Sequence, residues 1–181
     1  MRIAGILRYT LSALLAGAAA CAALWLLRHW GGRRTADHGG ARRMLMVGYL
    51  AAVTQIIGLR LGLQHMRWLG GLGALNLFPL RTMLGTWQAG TWPFVYHTLG
   101  NLGWFAPLGM LLGWLKPSLR AWHALLSGAL LSLALECAQL LLGTGAPDVD
   151  DILLNALGAL LGFGALRLGQ ALWRQQSNSP I

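Results

Sequence analysis

Five apolar runs close to twenty residues long constrain this chain more than any other feature: residues 9–27, 44–63, 96–115, 122–142 and 152–173. A hydrocarbon core of roughly 30 Å needs about 20 apolar residues of helix to cross it, so each run is a candidate span. Composition points the same way. Charged residues make up 10% of the 181 positions, against roughly 25% in an ordinary soluble domain. Hydrophobic residues reach 56% before the 25 glycines are counted, leaving too few polar side chains to cover a compact soluble surface. A soluble globular enzyme is excluded. In lipid the backbone must satisfy its own hydrogen bonds, and the sequence predicts an all-α fold, a polytopic integral membrane helical bundle of about five transmembrane helices.

The net charge of +9 is read by position, because basic residues flanking apolar spans orient membrane proteins. Arg28, Arg33, Arg34, Arg42 and Arg43 follow the first run, so the expectation is an uncleaved first helix with its N-terminus outside. Lys116, Arg120, Arg167 and Arg174 then fall inside with them, and Arg2, Arg8, Arg60, Arg67 and Arg81 outside. This places the C-terminus in the cytoplasm and gives no role to nucleic acid. Residues 1–63 are expected to form two transmembrane helices with a basic connecting loop. Residues 64–95 follow as an external segment, apolar and bearing Trp68, Trp87 and Trp92, that lies in the interface or dips into it. A three-helix transmembrane core spans 96–174, and 175–181 is a disordered tail. Cys21 and Cys137 sit inside apolar runs without metal-ligand spacing and are expected as free, buried thiols.

Ionisable groups inside a membrane are expensive and need a partner or a task. Glu136 is such a group, and Ser132, Glu136 and Gln139 share one helix face by their i, i+4 and i, i+3 spacing. On the last run Asp148, Asp151, Asn155, Gly158 and Gly162 form one stripe, polar above and small below, the latter a close-packing signal in membranes. On the third run His97, Asn101 and Trp104 share a face. Two readings stand for these groups. Glu136 and Gln139 serve as interhelical hydrogen bonds, and the aspartates as a helix N-terminus complementing its dipole; or Asn101, Glu136, Asn155 and the aspartates converge at one level as a binding site.

Four blocks in order carry a resemblance: Asn76-Leu77-Phe78-Pro79-Leu80-Arg81, Gly100-Asn101-Leu102-Gly103-Trp104-Phe105-Ala106-Pro107, Leu135-Glu136-Cys137-Ala138-Gln139, and Asp148-Val149-Asp150-Asp151 running on to Asn155, Gly158 and Gly162. Together they resemble the VanZ-like membrane family, named for an accessory protein of glycopeptide resistance, over about residues 76–165. The resemblance implies a bacterial cytoplasmic-membrane protein of the cell envelope and a link to glycopeptide susceptibility. One departure stands out. The family usually has a Gly-Arg pair shortly before the aspartates, where this chain has Gly143-Thr144-Gly145-Ala146-Pro147, and Arg81 is the substitute cation on the same side.

The leading expectation is a non-enzymatic protein that binds a lipid-linked or amphipathic ligand, such as an envelope precursor, at an outward-facing polar site. Its candidate residues are Asn76, Arg81, His97, Asn101, Glu136, Gln139 and Asn155. A second is an enzyme acting on a polyprenyl phosphate or similar lipid, with Asp148, Asp150 and Asp151 holding a divalent cation such as Mg²⁺ through hard carboxylate oxygens. Its catalytic residues are not identifiable from the spacing. A third is a structural subunit whose Gly158 and Gly162 face or Trp-rich segment contacts a membrane protein partner.

Overall fold

The computed structural model describes residues 11, 15, 17–19, 22, 38–55 and 75–177. Among these the fold is helical: α1 His38–Val53, α2 Arg81–Ala89, α3 Thr91–Leu115, α4 Ala121–Leu142 and α5 Val149–Ser177. Extended pairing among the described residues is confined to a single isolated parallel bridge between Asn76 and Asp148.

Two described helices, α4 and α5, are long and apolar enough to cross a membrane. They match the runs expected at 122–142 and 152–173. The run at 96–115 lies within α3, which begins at Thr91 and has 25 residues, enough to span; His97, Asn101 and its glycines dilute its apolar character. Expected span 44–63 overlaps α1 only to Val53, and residues 56–74 lie outside the described residues. Most of the run at 9–27, with Cys21, lies outside them as well. The count of five spans is therefore an expectation that two helices meet in full. The expected tail begins at Gln175, yet α5 continues to Ser177, whose hydroxyl donates to the Trp173 carbonyl at 3.0 Å. Cys137 is free, as expected, but exposed rather than buried, since it lies beside Glu136 on a helix whose polar face turns inward and not its cysteine.

The described residues fall into two compact units: residues 1–77 with 133–148, and residues 78–132 with 149–181. In the first, Gly17 packs against α1 so closely that a Cβ there would lie 2.8 Å from the Gly48 carbonyl oxygen. The loop after α4 turns through Gly143 and closes on that helix through a Thr144 N–H to Gln139 carbonyl bond of 3.1 Å.

In the second unit α3 and α5 pack through small residues. Gly158 faces Leu102, Gly162 faces Ala106, and Gly113 faces Leu166 and Phe163. Both numbers rise together along the contact, so the two helices run parallel. Phe105, Ala159 and Phe163 form the buried seam. Glycine permits this because a Cβ at Gly109 or Gly162 would collide with the carbonyl of Ala159 or Ala106. Close backbone approach of this kind supplies van der Waals contact where lipid offers no hydrophobic drive between helices. At the far end Arg167 donates to the carbonyls of Pro117 at 2.6 Å and Leu119 at 3.3 Å, tying α5 to the α3–α4 loop. A single residue, Gly90, joins α2 to α3 at φ 128° and ψ 166°, a region open essentially to glycine alone.

Gly162→Ala tests the packing. Alanine gains up to about 1 kcal/mol of helix propensity over glycine, yet the collision with Ala106 should lower the thermal midpoint of the detergent-purified protein. Gly164→Ala, where a Cβ meets nothing within 4 Å, should hold or raise it.

Candidate functional site

Pro79 and Leu80 turn the chain into α2, with Leu80 in the left-handed conformation at φ 67°. This is a costly geometry for a non-glycine residue. It bends successive backbone N–H groups toward one point, a concavity that attracts anions. Asp150 fills it. Leu80 N–H donates to Asp150 Oδ1 at 2.5 Å, and the Thr82 and Met83 N–H groups donate to Oδ2 at 2.8 and 3.1 Å. The carboxylate is fully buried and does for α2 what an N-cap side chain normally does from within its own helix. Asp150 itself lies in the first turn of α5, where negative charge also complements the dipole of its own helix.

One residue on, Asp151 receives a different pair. Asn101 Nδ2 donates to Asp151 Oδ1 at 2.8 Å, and His97 Nε2 lies 2.9 Å from the same oxygen. His97 and Asn101 are one turn apart on α3, so both reach the start of α5 from one face. Their meeting with Asp151 depends on the parallel packing of the two helices. The His97 and Asp151 side chains are each 19% exposed, so the pair is reached from outside the protein. A carboxylate that holds an imidazole fixes its tautomer and orientation, and the other ring nitrogen, Nδ1, is buried. Deeper along α5, Asn155 donates to the Ser132 hydroxyl at 2.8 Å, an interhelical bond between fully buried side chains.

The first unit holds a separate cluster. Asn76 Nδ2 donates to Asp148 Oδ1 at 2.8 Å, and Asn76 N–H donates to the Pro147 carbonyl at 2.9 Å. Asp148 N–H donates in turn to Glu136 Oε2 at 3.1 Å. Gln139 is buried below this, so close to Gly145 that a Cβ there would strike its side-chain amide. Glu136 and Gln139 thus hold the 143–148 loop to the end of α4.

The expected residues sort accordingly. His97 and Asn101 come together at Asp151, and Asn76 and Glu136 at Asp148. Gln139 packs on the loop, and Asn155 pairs with Ser132. Arg81 is exposed and its guanidinium has no hydrogen-bond or ion-pair partner among the described residues. The cation site expected of Asp148, Asp150 and Asp151 is not assembled among the described residues, where no group of three His, Cys, Asp or Glu side chains is placed to hold a metal ion. The reason is that both Asp150 oxygens are taken by backbone amides, while Asp148 and Asp151 serve other partners. Sequence reasoning missed the amides of Leu80, Thr82 and Met83 and the pairing of Ser132. A proline entering a turn ahead of a short helix was the available signal for the first.

Asp150→Ala should leave three amides without an acceptor and destabilise the protein by about 2–4 kcal/mol, given a cost of roughly 1–3 kcal/mol per unmet buried group. Hydrogen exchange read by mass spectrometry should speed up at residues 80–83, with Asp150→Asn intermediate.

Comparison with known families supplies the remaining finding. The family model described as VanZ/LLP1 matches residues 45–170. Comparison with curated proteins and with solved structures gives no match. The chain belongs to the VanZ/LLP1 family.

Proposed function

Starting from that membership, we propose that this VanZ/LLP1 protein binds an anionic amphipathic or lipid-linked ligand at the outer membrane–water interface. The headgroup is held by Arg81 and the apolar part by the α2 segment. One observation carries the reading. Asp150 fixes the turn at Leu80 to Met83, and the segment it fixes is apolar yet exposed: α2 has no buried residue, and Phe78, Leu84, Trp87 and Trp92 are 58–75% exposed.

A nine-residue helix is too short to persist in water by itself, and a contiguous exposed apolar patch marks contact with lipid or ligand. Trp87 packs edge-on against Phe94 at 5.2 Å, giving the segment a rigid aromatic wall of the kind that sits at headgroup level. Arg81 opens this helix, and its planar fork suits a phosphate bidentately. His97 with Asp151 and Asn101 adds polar groups within the same unit. Because Asp150 occupies the amides of Leu80, Thr82 and Met83, Arg81 rather than that concavity is left to meet an anion. A lipid-linked envelope precursor is a ligand of this chemistry, and an effect on glycopeptide susceptibility belongs to the same reading.

Native mass spectrometry of the detergent-purified protein with added polyprenyl phosphate tests it. Arg81→Ala should weaken retention about tenfold, the loss of one charge-assisted hydrogen bond of roughly 1.5 kcal/mol or more, with thermal stability unchanged because Arg81 is exposed. Equal retention by wild type and variant would sink the proposal.

A further inference from the structure

The opposite end of the second unit carries cations and apolar surface that the proposed Arg81 site does not use. Arg167 is committed to the α3–α4 loop and to Gln170, whose Oε1 accepts from it at 3.2 Å, while its guanidinium lies 4.8 Å over the Phe163 ring. Arg174, two turns further along the same face, is exposed and has no hydrogen-bond or ion-pair partner among the described residues. Lys116 and Arg120 are exposed in the neighbouring loop. The carboxylates of this unit, Asp150 and Asp151, lie at the start of α5, about 35 Å along the helix from Arg174. This end is therefore positively charged without compensation from its own unit. Trp114, Trp122 and Trp173 are exposed there, on α3, α4 and α5, as interfacial tryptophans are.

Between α3 and α5 at this level runs an open groove of about 520 Å³, lined by Met110, Leu166, Gly169, Gln170, Trp173 and Arg174. Its lining is mostly apolar, and its cation is Arg174. Gly169 leaves it wide, since a Cβ there meets nothing within 4 Å.

We propose that this groove is a site for one anionic phospholipid. An acyl chain lies against Met110, Leu166 and Trp173, and the phosphate is held by Arg174 beside Gln170. Charge selects the occupant: a zwitterionic lipid fills the apolar channel equally well but brings a compensating ammonium to Arg174. The site is independent of the Arg81 reading, since it lies at the other ends of the helices.

The test uses the full-length protein reconstituted in vesicles containing phosphatidylglycerol or phosphatidylcholine, each carrying a photoreactive acyl chain, with labelled residues mapped by peptide mass spectrometry. Labelling of residues 165–174 should be stronger with phosphatidylglycerol by about fivefold, the effect of one basic residue near an anionic surface. That excess should vanish in Arg174→Ala, which removes the headgroup contact, and in Gly169→Phe, which fills the channel where there is room for a side chain. Arg81→Ala should keep it. Equal labelling by the two lipids, or an excess that survives either groove variant, would overturn the site.

Discussion

The buried carboxylate of Asp150 is the interaction on which the shape of the candidate site depends. Three backbone N–H groups at Leu80, Thr82 and Met83 converge on it, so the entry to α2 is set by a residue some seventy positions later in the chain. Without an acceptor those donors would need water, and the left-handed Leu80 would lose the contacts that offset its strain. An anion-binding concavity is here satisfied by the protein's own acid. The exposed Arg81 and Trp87 of α2 are displayed by this one bond set.

That bond set requires the first turn of α5 to sit at the right level, and the glycine packing supplies it. Backbone contacts at Leu102–Gly158 and Ala106–Gly162 lock α3 and α5 in register. The same register brings His97 and Asn101 to Asp151. Interhelical side-chain hydrogen bonds in membranes contribute about 0.6 kcal/mol each on average, so the Asn155–Ser132 and Asn101–Asp151 bonds refine an alignment that close packing has already made. The polar groups are carried by the packing and do not create it.

Much of this was legible in the sequence, and the part that was not has a physical cause. The apolar runs located α4 and α5 within a few residues because each helix is apolar over the length that a membrane crossing takes. Of the stripe Asp148, Asp151, Asn155, Gly158 and Gly162 read from spacing, the last four face a neighbouring helix in the fold, whereas Asp148 precedes α5 and pairs with Asn76. Asp150 stands off that stripe, and its partners are backbone amides, which carry no side-chain signature. It read as a metal ligand for that reason. The roles of Glu136 and Asn76 were hidden in the same way, since each closes a loop through a main-chain group as well as a side chain. Membership of the VanZ/LLP1 family was visible in the motif order and holds over residues 45–170.

The proposed site requires the α2 segment to meet the membrane interface with Arg81 at headgroup level. Nitroxide labels at Phe78, Leu84 and Trp92, read by electron paramagnetic resonance in vesicles with oxygen and a polar nickel chelate as relaxants, measure this directly. The account predicts oxygen-favoured relaxation at all three, at a shallow common depth, against chelate-favoured relaxation at Ser177. Chelate-favoured relaxation at Leu84 and Trp92, equal to that at Ser177, would place the segment in water and contradict it.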